Sequence, residues 1–191
     1  MTQNTRIRLI AIAVLSFACF VGAARADDID ALPTVQDVNL ARYAGRWYEI
    51  SRLPMWFERN CIGNITATYT QRADGRVDVL NRCKTQSALI SAQGIAEVPD
   101  PARPGELRVR FAPDWLAWIP VVWGDYWIID LDSQYQLAAV SDPRREYLWV
   151  LSRTPQIDKK TYDALLQRLQ NQQFDTRKLE LTQQLTSPSK N

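Results

Sequence analysis

Between Gly45 and about Leu151 the chain alternates apolar and polar residues in short runs, broken by turn signals every eight to twelve positions. A period of two marks strands with one buried face, and this spacing predicts an antiparallel sandwich or barrel. The runs are "RWYEISR", "ITATYTQ", "RVDVLNRC", "LISAQGIAEV", "ELRVRF", "DYWIIDLD", "YQLAAVS" and "EYLWVLSR". "ELRVRF" is the cleanest, with Leu107, Val109 and Phe111 set against Arg108 and Arg110. After Thr154-Pro155 the period changes. "DKKTYDALLQRLQNQQ" carries Tyr162, Leu165, Leu166 and Leu169 at helical spacing, the stripe of a helix with one buried face. A short ninth segment, "KLELTQQ", follows, and residues 185–191, which end in "TSPSKN", are expected to be a disordered tail. The fold class predicted is all-β: an eight-stranded antiparallel up-and-down barrel with one C-terminal α-helix packed outside and a short ninth strand. Closure removes exposed sheet edges and leaves room for one small ligand. A two-sheet sandwich is the alternative.

The first residues change the compartment. Arg6 and Arg8 precede an apolar run from Leu9 to Val21 that ends in Ala24-Arg25-Ala26, the layout of a cleaved secretory signal peptide over residues 1–26. Export to the periplasm is the expectation, with lipidation of Cys19 in "SFAC" as the rival processing. Residues 27–37 are expected to be a flexible segment leading into a single domain over 38–184. Cleavage removes three of the 23 basic residues and no acid, leaving a near-neutral chain with no electrostatic case for nucleic acid. Of the three cysteines, Cys61 and Cys83 then remain, and an even pair in an oxidising compartment is expected to form a disulfide.

The chain has no histidine. This excludes Ser-His-Asp and Cys-His catalysis and zinc sites built on imidazole. No compact carboxylate motif stands out, and neither a cofactor nor a metal is expected.

Taken together, "GRWYEI", "FERNC", "TATYT" with "ADGRVDVLN", and "YLWVLSRTP" resemble the lipocalins, specifically the bacterial branch related to apolipoprotein D. The similarity runs from about Val38 to Thr182. In an up-and-down barrel the start of strand one and the end of strand eight share a rim and become neighbours on closure, which brings Trp47 and Arg153 together. The resemblance implies that Trp47 plugs the closed end, with Arg153 across it and Gly45 letting the chain pass close beneath. The family's motif at the turn between strands six and seven is matched by Asp132 and Tyr135 in "LDSQY", at a stretched spacing. The branch implies a disulfide from Cys61 to a C-terminal cysteine; this tail has none, which leaves Cys83.

Taking Trp47 and Arg153 as inward references, period two assigns a lining of Glu49, Ser51, Tyr147, Trp149 and Leu151. Apolar alternation adds Tyr69, Val77, Val79, Leu107, Val109 and Phe111, and Tyr126 and Ile128 share the parity of Asp132. The expected ligand-binding set is therefore Glu49, Tyr69, Val79, Val109, Phe111, Tyr126, Ile128, Tyr147 and Trp149. Glu49 is the anomaly, since a carboxylate facing an apolar lumen is costly unless paired or ligand-facing. At the open end, "LPMWFERN" and "APDWLAWIPVVWG" concentrate apolar side chains, with Trp56, Phe57, Trp115 and Trp118 as the expected entrance. These loops would line a ligand entrance, dock on a membrane surface, meet a second copy, or fold back over the local core.

The resemblance implies a non-enzymatic carrier of fatty acids, lysophospholipids or similar lipids in the bacterial envelope, as a monomer or homodimer, serving membrane maintenance under stress. The alternatives are a lipid-modifying enzyme using Glu49 and Asp130, or a docking module acting through its Trp-rich rim with an empty barrel.

Overall fold

The computed structural model describes residues 31–184. The signal-peptide reading of residues 1–26, the lipidation reading of Cys19 and the tail at 185–191 lie outside the described residues.

A single turn of helix, α1 (Leu40–Tyr43), is capped by the Asn39 side chain, which accepts from Arg42 N. It delivers the chain to eight antiparallel strands: β1 (Gly45–Arg52), β2 (Gly63–Gln71), β3 (Val77–Lys84), β4 (Leu89–Glu97), β5 (Glu106–Arg110), β6 (Gly124–Leu131), β7 (Leu137–Ser141) and β8 (Leu148–Ser152). Consecutive strands pair, and β1 pairs with both β2 and β8, so the sheet closes on itself. The barrel holds over the sandwich. Closure between β1 and β2 covers only Gly45 to Tyr48. Above that the two strands part, and β9 (Glu180–Leu181) lies against Ser51 and Arg52 of β1.

Two apolar layers follow from strand parity. Inside the wall lie Trp47, Tyr69, Val77, Val79, Ala96, Leu107, Ile128, Val140 and Leu151. Outside it, Ile50, Ile129, Leu137, Ala139, Leu148 and Val150 are covered by Leu165 and Leu169 of α2 (Lys159–Asn171). The α2 N-terminus is fixed by Asp158, which accepts from Thr161 N. Strand β7 is buried on both faces, which is why its sequence reads as continuously apolar.

Two β-bulges break the parity assumed from sequence. One falls between Glu49 and Ser51 on β1, the other between Ile128 and Asp130 on β6. An extra residue in one strand turns everything beyond it to the opposite face. Ser51, expected in the lumen, instead faces outward and accepts from the Tyr162 hydroxyl of α2 at 2.8 Å. Arg52 takes the inward position, opposite Trp149. Asp130 likewise faces outward, held by Arg168 of α2 at 2.6 Å.

The flexible segment expected over 27–37 is corrected for its described part. Leu32 and Thr34 are buried, and Val35 N donates to Ile128 O at 2.9 Å. Leu32 joins the apolar layer under α2, so burial and backbone pairing repay the entropy of ordering this stretch.

Cys61 and Cys83 form the expected disulfide, with Cα atoms 5.6 Å apart. The register shift between Gly63 and Thr66 on β2 lets Cys61 reach across to β3. The bridge closes a short loop. Its removal by Cys61→Ala/Cys83→Ala is expected to lower unfolding free energy by about 3 kcal/mol in urea denaturation; a loss below about 1 kcal/mol would show that β2–β3 pairing holds the hairpin unaided.

Candidate functional site: the barrel lumen and its open mouth

The closed end is sealed as the sequence implied. Trp47 is fully buried, and the Arg153 guanidinium carbon lies 3.9 Å above its ring. Trp47 Nε1 donates to Tyr43 O at 2.8 Å. Arg153 donates to five carbonyls, those of Arg42, Tyr43, Ala44, Arg46 and Tyr135, and so ties α1, the head of β1 and the β6–β7 turn together. Gly45 has φ +96°, and a Cβ there would stand 3.2 Å from Arg153 Nη1, so the close passage beneath the guanidinium needs glycine. Asp132 holds the β6–β7 turn by accepting from the backbone N–H groups of Gln134, Gln136 and Leu137. Tyr135 sits in that turn at positive φ, its hydroxyl accepting from Asn39 N and its ring under the Arg42 guanidinium.

Immediately above Trp47, three tyrosines form the floor of the lumen. The Tyr126 hydroxyl is 2.9 Å from that of Tyr43 and 2.8 Å from that of Tyr69. Burial pushes all three hydroxyls well above the usual tyrosine range, so they stay protonated. Val79, Val109 and Ile128 line the wall beside them, with Val109 and Tyr126 only half-buried. Asn81 continues the inward parity of Val77 and Val79 on β3, and its Oδ1 is buried without a hydrogen bond.

Higher up, a charged group interrupts the apolar sleeve. Arg52 Nη1 donates to Glu49 Oε1 at 3.0 Å, and Arg52 Nε lies 3.2 Å from Glu58 Oε2. The Thr182 hydroxyl donates to Glu49 Oε1 from the far side. Trp149 faces inward as expected, and its Nε1 donates to Glu58 Oε1 at 3.3 Å. Burial first, and then the charge of Glu58, pushes the Glu49 carboxyl up to about 8. Glu58 is raised as well, chiefly by burial and against the pull of Arg52. Arg52 Nη2 also lies 3.9 Å from Glu180 Oε2, so one guanidinium faces three carboxyl groups, of which Glu49 is held protonated at neutral pH. This resolves the anomaly of Glu49: it is paired, protonated and hydrogen-bonded. Period-two reading missed Arg52 because the bulge is silent in the sequence, and missed Glu58 because it comes from a loop.

Four loops surround the open mouth: residues 53–62, 85–88, 111–123 and 142–147. Among the described residues, the large exposed apolar side chains all lie here or on the strand ends beside it, including Trp115 at 73% and Trp118 at 79% exposure. Folding back accounts for part of the loops only. Met55 is buried, and Trp123 packs outside the barrel against the guanidinium groups of Arg108 and Arg110. Trp56 is exposed, and Phe57, itself 46% exposed, packs against Tyr147 and Trp149, with ring centroids 5.6 and 6.4 Å away. Tyr147 stacks on Trp149 at 5.9 Å, at the mouth rather than in the sleeve. Phe111 lies one residue beyond β5, 44% exposed, with its ring on the inner face of Gly94, the register partner of Val79, where a Cβ would stand 2.8 Å from it.

Residues 38–184 match the Lipocalin-like domain family. The chain belongs to that family. It is 38% identical to temperature-induced lipocalin-1 of Arabidopsis thaliana over 82% of this chain and 85% of the relative. It is 34% identical to outer membrane lipoprotein Blc of Escherichia coli K12, covering 78% and 81% of the two chains. Mouse apolipoprotein D is 27% identical over 82% of each. Insecticyanin of the tobacco hornworm has a similar fold, with a TM-score of 0.65 and 20% identity over 81% of this lipocalin and 85% of the insecticyanin chain. Family membership, with the closed calyx, implies binding of a small hydrophobic ligand.

The acid-based enzyme reading loses its geometry. Glu49 faces the lumen and Asp130 the outer surface against α2, so the two carboxylates stand on opposite sides of the wall. No reacting group can lie between them.

Proposed function

We propose that this lipocalin binds fatty acids or lysophospholipids and carries or sequesters them in the bacterial envelope, in support of membrane maintenance. The observation that carries the reading is the polarity of the calyx. One end is sealed by Trp47 and Arg153, the wall is apolar, and the other end opens among exposed aromatic side chains. Such a sleeve fits one acyl chain, its tail toward Trp47 and its head at the mouth, held by apolar burial worth roughly 25 cal/mol per Å² before ordering costs. An envelope setting is supported by the likeness to relatives named outer membrane lipoprotein Blc.

The test is a titration of delipidated protein with laurate and with lysophosphatidylcholine, followed by tryptophan fluorescence. Saturation at one ligand per barrel is expected. Trp149→Ala removes a large apolar surface from the upper lumen and is expected to weaken binding about tenfold, a loss of about 1.4 kcal/mol. Lys160→Ala, on the solvent side of α2, leaves the affinity as it was. Absence of a saturable response to either ligand would refute the assignment.

A further inference from the structure

Glu58 occupies a site built for a carboxylate, and the loop that carries it is not part of the barrel wall. Its carboxyl group meets Arg52 on one side and the Trp149 Nε1–H on another, while Arg52 also donates to Glu49. Two donors thus converge on one carboxylate inside an apolar sleeve. They stand on adjacent paired strands, β1 and β8, where Arg52 and Trp149 are register partners. Glu49 is fixed in turn by Thr182. The donors are rigid; the acceptor comes from the 53–62 loop, on a single 3-10 turn.

The fit between acceptor and donors is incomplete. Arg52 is buried, and its Nε stands 3.2 Å from Glu58 Oε2, yet the pair is too poorly aligned for a hydrogen bond and both atoms remain without one. A buried guanidinium N–H without a hydrogen bond is costly, and a carboxylate free to align would recover that loss. Glu58 is thus an imperfect occupant delivered by a loop.

We propose that Glu58 stands in for the carboxylate of a free fatty acid, and that the ligand's own carboxylate displaces it to pair with Arg52 and Trp149. The inference rests on the acyl-carrier reading above and deepens it. Of the amphiphiles that fit the sleeve, the calyx selects those ending in a carboxylate over neutral esters and over lysophospholipids, whose larger head stays at the mouth. Displacement of Glu58 releases the 53–62 loop and swings Phe57 off Tyr147 and Trp149, so that the aromatic lid opens as the acid binds. Arg52, which donates to Glu49 and lies within ion-pair reach of Glu58 and Glu180, is the cation that an incoming carboxylate meets once Glu58 has left.

The experiment compares laurate, methyl laurate and lysophosphatidylcholine at pH 7, each below its micelle concentration, on wild-type protein, Glu58→Ala and Arg52→Gln, with far-UV circular dichroism as the fold control. The acid-to-ester affinity ratio is expected to rise about tenfold in Glu58→Ala, because the internal competitor is gone. In Arg52→Gln it is expected to fall to near unity. Glu58→Ala lies in a loop outside the barrel wall and keeps the test decisive should Arg52→Gln fail to fold. If all three ligands bind but the ratio is the same in wild type and Glu58→Ala, or lysophosphatidylcholine gains as much as laurate, the head group does not reach Arg52 and the inference is overturned while the carrier reading stands. If none binds the wild type, both fall.

Discussion

Trp47→Ala is expected to destabilise the protein by about 3–5 kcal/mol, the range for truncating a large aromatic side chain in a core that cannot collapse around the gap. The neighbours here are fixed on every side. Trp47 sits on β1 between Tyr43, whose ring centroid is 4.9 Å away, and the Arg153 guanidinium at 3.9 Å. Removing the indole leaves a void under Arg153 and takes from the Tyr43 carbonyl one of its two donors, Trp47 Nε1, leaving it the Arg153 guanidinium alone. Urea denaturation reads the loss as a lower midpoint at unchanged slope. Arg153→Lys is expected to fall on the same side, since an ammonium with three donors cannot serve five carbonyls and cannot stack flat on the ring. A Trp47→Ala loss below about 1 kcal/mol would mean that the bung does not hold the closed end.

The second large effect is on the pH dependence of stability, through Glu49. Its carboxyl group has an ordinary value of 4.5 and is pushed up to about 8 in the folded protein, first by burial and then by the adjacent Glu58. Between those values the native state holds a proton that the unfolded state has released. Unfolding stability therefore falls as pH rises from about 4.5 to about 8, at up to about 1.4 kcal/mol per pH unit. The contribution is fully present below the lower value and lost above the upper one. Glu58, raised for the same reason, acts in the same direction. Glu49→Gln is expected to flatten most of this slope while preserving the hydrogen bonds from Thr182 and Arg52. Urea midpoints from pH 5 to pH 8 check it. A wild-type stability that rises with pH across the window would place an ionised Glu49 in the native lumen.

Both effects trace to residues that the sequence made visible, but not to the same degree. Trp47 and Arg153 were legible because up-and-down closure alone makes the start of the first strand and the end of the eighth neighbours. Glu49 was legible as an anomaly, a carboxylate at an inward position. Its partners were not. A bulge adds one residue without changing composition or local propensity, and Ser51 and Arg52 are both polar, so either could have faced the lumen. On β6 the run "WIID" is apolar enough on both faces to hide its own bulge, and this is why Asp130 was placed with Glu49 rather than against Arg168.

What the amino-acid order determined by itself was the alternation of strands, the helix with its stripe of Tyr162, Leu165, Leu166 and Leu169, the pairing of Cys61 with Cys83, and the apolar mouth. These are local periodicities, or follow from counting, and need no knowledge of what lies across the sheet. The tertiary structure alone decided which residues face which. It turned Arg52 inward, brought Glu58 from a loop and Thr182 from beside β9 onto the same few ångströms, and docked Leu32 under α2. Each of those placements depends on contacts between segments far apart in the chain, where burial of a charge or an apolar side chain is decided by its neighbours in space and leaves no period in the sequence.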